Sequence, residues 1–292
     1  AWHQTWRTPL RQALDWLRDT LAPHYESRLG QLLRDPWEAR NDYINVILNR
    51  SWESVERFLA QHAVRKLPEA DTITVLKLLE LQRHLMLMYT SCGWFFDELS
   101  GIETVQDIQY AGRAVELAEA LFCEPIEASW LERLMQAQSN IPEYRDGAHI
   151  YQTFVKPAMV DWERVGAHYA VSSLFEEYPE RTRIYGYTFD REDDQRVEAG
   201  KAKLIVGRAL ATSDMTREAA RLSFGVLHIG DHHINGGVQL FRGEEGYRVL
   251  VQELTEAFTK ADFSEAIRLL DRHFGETTYS LKSLFRDEQR KV

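Results

Sequence analysis

Apolar residues recur at steps of three and four through the first half of the chain. Leu10, Ala13, Leu14, Leu17 and Leu21 fall on one helical face. Pro9 suits a first turn, and Pro23 and Pro36 punctuate the stretch after it. Helical patterns run over residues 37–48 and 51–63, where Ser51, Glu53 and Ser54 offer N-terminal capping chemistry, and Pro68 closes that pair. Residues 72–88 are apolar on most sides, which predicts the helix nearest the centre of a bundle. Val105, Ile108, Ala111, Val115, Ala118 and Phe122 predict another amphipathic helix, ending before Pro125, and residues 127–138 continue the pattern. Asn140, Pro142 and Gly147 mark a loop, and residues 150–177 predict helix interrupted at Pro157.

The period then falls to two. Tyr185, Tyr187 and Phe189 alternate with polar positions, as do Leu204 and Val206, then Leu222, Phe224 and Val226, then Val238 and Leu240. Asn235, Gly236 and Gly237 read as a turn among these strands, so antiparallel hairpins are the simplest arrangement. The tail returns to helix at Leu250, Leu254, Ala257 and Ala261, at Ala266, Ile267 and Leu270, and at Leu281, Leu284 and Phe285. The fold class expected is α+β, predominantly α: a helical bundle with a small antiparallel β-sheet insert at about residues 183–242 and C-terminal helices. The whole of 1–292 reads as a single domain, its helical body at about 1–178 and 244–292, and the stretch 179–183 as an internal boundary.

Composition narrows the function classes. With 292 residues, 44% of them hydrophobic and 11% aromatic, the chain can bury a core of ordinary size. A formal charge of -10 opposes a general grip on phosphate backbones, so nucleic acid is not an expected partner. No window reaches the roughly 20 apolar residues of a spanning helix. Cys92 and Cys123 form no CxxC pair and no disulfide framework, although one bond between them is open; a reducing, cytoplasmic setting is expected. The chain starts at Ala1 without an initiator methionine or a signal-like apolar region, which suggests a fragment of a longer protein.

Two segments could carry chemistry. Residues 89–103, YTSCGWFFDELSGIE, set Trp94, Phe95 and Phe96 beside Asp97 and Glu98 between two glycines. Three adjacent aromatics cannot share one core stripe, so at least one should face a cleft or contact surface near the carboxylates. An aromatic face covers the apolar C–H groups of a sugar while a carboxylate accepts hydroxyl hydrogen bonds, which makes these five residues candidates for substrate binding. The bland alternative has the aromatics plugging the bundle and the acids capping backbone. Adjacent carboxylates lack the separation of a general acid and base, so no catalytic pair is expected here. The second segment is HIGDHHINGG, where His228, Asp231, His232 and His233 could hold zinc or iron. Its spacing matches no fixed metal signature, and His232 and His233 would point opposite ways in an extended chain. Phosphate loops and nucleophile elbows are absent, so no cofactor is expected. Trp2, Trp6, Arg7 and Arg11 form a further stripe, either packed on the bundle or an interface.

Four stretches, WRTPLRQALDWLRD, YTSCGWFFDELSGIE, VGAHYAVSSLFE and HFGETTYSLKSLF, together resemble the domain of unknown function that follows the catalytic barrel in a subgroup of glycoside hydrolase family 57-like proteins. The resemblance covers about residues 6–292. It implies an accessory, non-catalytic portion that packs on an upstream (β/α) barrel of the same polypeptide and lends Trp94, Phe95, Phe96, Asp97 and Glu98 to a sugar cleft, with α-glucan the substrate of the wider family. A metal-dependent enzyme built on His228, Asp231, His232 and His233, and a purely structural or oligomerising module, are the alternatives.

Overall fold

The computed structural model of the chain describes residues 2–230, 233–275 and 278–280. The chain divides into two compact units, Ala1–Met159 and Val160–Val292. It is a helix-rich α+β protein, and the sheet lies wholly in the second unit.

Unit 1 is helical: α1 (Arg7–Leu29), α2 (Pro36–Asp42), α3 (Ile44–Leu48), α4 (Trp52–His62), α5 (Glu69–Leu87), α6 (Ile102–Phe122), α7 (Ile126–Leu134) and α8 (Gly147–Ile150), the last running into a π-turn at Tyr151–Val155. Capping sets several starts. Asp35 accepts from the Trp37 and Glu38 amides at 2.9 and 3.0 Å to open α2, and Ser51 accepts from Ser54 at 3.2 Å to open α4. Pro23 does not punctuate as its residue type suggests; α1 continues through it to Leu29. An internal proline removes one backbone bond and costs about 3 kcal/mol. Fully burying Tyr25 and Leu29 beyond it offsets that loss.

Two apolar clusters fill the unit, and α1 and α5 run through both. Leu10, Leu14, Leu17 and Leu21 join Leu81, Leu85 and Met88 in one cluster, while Tyr25, Leu29, Val75, Leu76 and Leu79 belong to the other. Apolar residues at Val75, Leu76, Leu78, Leu79, Leu81 and Leu85 fall on several sides of α5, and all of them are buried. One acid is buried with it. Glu80 accepts from the Tyr43 hydroxyl at 2.7 Å and pairs with Arg50 and Arg83 at 2.7 and 3.2 Å. Burial pushes its pKa up, but the two guanidiniums and the phenol outweigh that and hold it below the usual range.

Unit 2 begins with α9 (Trp162–Ser172) and continues with an antiparallel meander β1 (Arg181–Ile184), β2 (Tyr187–Ala199), β3 (Ala202–Ser213), β4 (Ala219–His228), β5 (Ile234–Leu240) and β6 (Thr278–Ser280), in that spatial order. Helices α10 (Glu244–Thr259) and α11 (Phe263–Phe274) lie between β5 and β6 in sequence. Ile205, Ala209, Leu222, Phe224 and Val226 cluster with α9, while Leu204, Val206 and Leu227 cluster with α10 and α11. The central strands are therefore covered on both faces. This corrects the grouping of residues 244–292 with the helical body: α10 and α11 pack on the sheet because β3 and β4 present a second apolar face that must leave water. The terminal pattern at Leu281, Leu284 and Phe285 lies outside the described residues.

A second correction concerns Asn235, Gly236 and Gly237. They form no turn; they pair within β5 against Leu227, Val226 and Gly225. The reversal occurs earlier, where the Ile229 amide donates to the His233 carbonyl and Gly230 takes a φ of 113°. Gly237 is glycine because α11 lies against it: an added Cβ would sit 2.2 Å from Phe274 Cγ. Gly237→Ala should destabilise unit 2 by about 1–3 kcal/mol in chemical denaturation. Adding Phe274→Leu to that variant should recover little of the loss, because leucine keeps the Cβ and Cγ that the new methyl would meet at 2.4 and 2.2 Å.

Candidate functional site

Helix α5 ends at Leu87, and the chain makes a 3₁₀ turn at Ser91–Trp94 before α6 starts at Ile102. Irregular backbone of this kind needs partners from elsewhere for its polar groups. The segment before α1 and the first residue of that helix supply most of them. Trp6 Nε1 donates to the Asp97 carbonyl at 2.9 Å, and Arg7 Nη2 donates to the carbonyls of Phe95 and Phe96 at 3.5 and 3.1 Å. Gln4 Nε2 reaches the Asp97 carboxylate. Asn140 Nδ2 donates to the Asp97 carbonyl and to the His3 carbonyl, both at 2.9 Å, while its Oδ1 accepts from the His3 amide.

The five residues expected at a ligand site share this turn but face different ways. Trp94 is half-buried and stacks on the fully buried Trp6, ring centroids 6.2 Å apart and planes 20° apart. Phe95 and Phe96 point outward, 77% and 49% exposed, with their rings edge to face at 5.1 Å. Asp97 is exposed beside them. Glu98 turns inward at 6% exposure. Its carboxylate accepts from the Ser139 hydroxyl at 2.5 Å, the Asn140 amide at 2.9 Å, and the Ser100 amide and hydroxyl at 3.0 and 3.2 Å. Burial raises its pKa, but those four donors together hold the carboxyl below the usual range. A carboxylate so saturated is a clamp between two loops, not a ligand for sugar.

A sixth residue, not singled out by sequence reasoning, lies beneath the turn. Asp107 of α6 is 1% exposed, and neither carboxyl oxygen has a hydrogen-bond partner. A Cβ on Gly93 would fall 2.2 Å from its Oδ2, so only glycine lets the turn lie this close to the carboxyl. Beside it, Thr104 Oγ1 donates to the Gly93 carbonyl at 2.7 Å. With no compensating partner, burial alone pushes the Asp107 pKa up to about 7. The signal was present: Asp107 sits three residues after Thr104 and four before Ala111, inside the apolar stripe of α6.

Residues 2–285 match the model of a family described as a domain of unknown function (DUF3536). The chain belongs to that family. Neither a curated protein nor a solved structure matches it. Of the other sequence candidates in this DUF3536 chain, His228 and His233 are described. His228 ends β4 with its ring edge-on to Phe175 at 5.4 Å, and His233 is exposed after the turn. Asp231 and His232 lie outside the described residues, and among the described ones no three His, Cys, Asp or Glu side chains are gathered as metal ligands would be. Cys92 and Cys123 are free and exposed. Of the N-terminal stripe, Trp6 packs in the core while Trp2 is exposed and precedes the helix. No helix among the described residues is long and apolar enough to cross a membrane.

The DUF3536 turn carries two expectations for stability. Glu98→Ala strands the Asn140 amide and the Ser139 hydroxyl and should cost about 1–3 kcal/mol in thermal denaturation, whereas Asp97→Ala, whose backbone bonds persist, should cost less than about 1 kcal/mol. For Asp107 the folded chain keeps a proton that the unfolded chain releases near its ordinary value of 3.8. Stability from this group is thus complete below about pH 4, declines as the pH rises, and reaches its lowest level above about pH 7. Asp107→Asn, which stays neutral, should match the parent at pH 4 and exceed it at pH 8 by on the order of 3–4 kcal/mol, less where the turn relaxes to admit water. Equal gains at both pH values would contradict this.

Proposed function

We propose that the chain is an accessory, non-catalytic domain of a carbohydrate-active enzyme, working beside a catalytic (β/α) barrel of the same polypeptide as in family 57-like glycoside hydrolases or glucanotransferases. The observation that carries the reading is the pair of outward phenyl rings at Phe95 and Phe96 on a turn whose backbone is fixed by Trp6, Arg7 and Asn140. Exposed rings on a fixed backbone lose less entropy on contact than rings on a mobile one, which suits stacking against the C–H face of a sugar. Asp97 beside them offers carboxylate oxygens for hydroxyl donors. The inward, saturated Glu98 leaves the turn without a general acid and base at working separation, in keeping with a binding role. Trp94 acts as the support of the platform through its stack on Trp6. An α-glucan oligosaccharide, the substrate of the wider family that the four stretches resemble, is the ligand proposed.

The test is Phe95→Ala together with Phe96→Ala in the full-length polypeptide. Covering a phenyl ring is worth about 1.5–3 kcal/mol when complete, and about 1.4 kcal/mol is tenfold in affinity. KM for an α-glucan oligosaccharide should rise about tenfold or more with kcat nearly unchanged, and the melting temperature should hold, since exposed rings add little to the core. A melting temperature lowered at constant KM would instead place the rings against another domain. Unchanged kinetics at unchanged stability would sink the glycan reading.

A further inference from the structure

The buried carboxyl of Asp107 and the glycine above it form an arrangement that a ligand platform does not need. Three observations define it. Both oxygens of Asp107 are unpartnered at 1% exposure. Gly93 lies so close that no side chain fits between them. The carbonyl of that glycine is tied to α6 by the Thr104 hydroxyl, one turn before Asp107 on the same helix. A neutral carboxyl is tolerated there, but a carboxylate would be a desolvated charge without a donor, and its simplest relief is for the turn to lift and let water in.

Neighbouring charges do not relieve it. On α5, Arg83 pairs with Glu80 and His84 bonds the Glu80 carbonyl, while Tyr89, just beyond that helix, donates to Asp15. On the turn itself Cys92 is exposed, and Arg7 of α1 is engaged with the Phe95 and Phe96 carbonyls. None of them bonds the Asp107 carboxyl.

We propose that Asp107 is a proton-operated latch on the aromatic turn: with its proton it lets Gly93 seat on α6 and holds Phe95 and Phe96 in place, and without it the Ser91–Trp94 turn lifts. The seated state also requires Trp94 on Trp6, so lifting disturbs that stack. Because the carboxyl titrates close to neutrality, small changes of pH redistribute the two states. What the latch controls, access of a ligand to the two rings, rests on the reading of the turn as a ligand platform; the latch itself does not.

The experiment needs no glycan. In the full chain, the amide protection factor of Gly93 and the tryptophan fluorescence are monitored from about pH 5.5 to about pH 8.5, with the Asp107 carboxyl carbon observed by NMR. The carboxyl should titrate near pH 7, and the protection factor at Gly93 should fall about tenfold between about pH 6 and about pH 8, with the fluorescence changing at the same midpoint. Asp107→Asn should remove both transitions. A carboxyl that titrates below about pH 5, or a Gly93 protection factor independent of pH in the parent chain, would overturn the latch even if the variant failed to fold. Should these transitions appear while Phe95→Ala with Phe96→Ala leaves KM for the glycan unchanged, the platform reading fails and the latch stands.

Discussion

The Glu98 carboxylate fixes how the chain passes from α5 to α6. That connection is irregular and has few internal hydrogen bonds, so its geometry is set by whatever satisfies it from outside. Glu98 gathers the Ser139 hydroxyl and the Asn140 amide, and Asn140 in turn spans His3 and the Asp97 carbonyl. Three segments far apart in sequence thereby meet at one buried charge. Its full complement of donors is what makes the burial tolerable, since an ionised carboxylate lacking them would cost several kcal/mol. Phe95 and Phe96 are outward because the groups around them are already committed inward.

Unit 2 answers a different constraint. An antiparallel sheet usually turns one face to water, yet here β3 and β4 are apolar on both. The α9 helix covers one face and α10 with α11 the other. Closeness on the second face is what demands glycine in β5, where Phe274 fills the space a side chain would take.

Among the buried acids of unit 1, Glu80 and Asp107 are treated in opposite ways. Glu80 is held ionised by Arg50 and Arg83, and Asp107 has nothing to bond and resists ionisation. The first is an ordinary structural ion pair. The second stores an unfavourable arrangement directly under the turn that carries the exposed aromatic rings, and strain or unsatisfied polarity of this sort tends to collect where a protein acts.

Helical periodicity and alternation were enough to place most of the elements, though not β6, because apolar residues must leave water whatever their tertiary partners. Leu10 to Leu21, the leucine-rich α5 and the strand at Leu222, Phe224 and Val226 were legible on that ground alone. So was the tension at residues 89–103, since three adjacent aromatics cannot all be core. Local signals misled where long-range packing outweighed them. Pro23 stays helical because Tyr25 and Leu29 are buried beyond it, and Gly236 and Gly237 lie in a strand that pairs with β4, the second of them under Phe274. The direction of each side chain in the aromatic turn was likewise decided only by the tertiary structure. Outward Phe95 and Phe96, inward Glu98 and the unpartnered Asp107 beneath Gly93 all depend on segments that the sequence keeps apart and that only folding brings within hydrogen-bond reach.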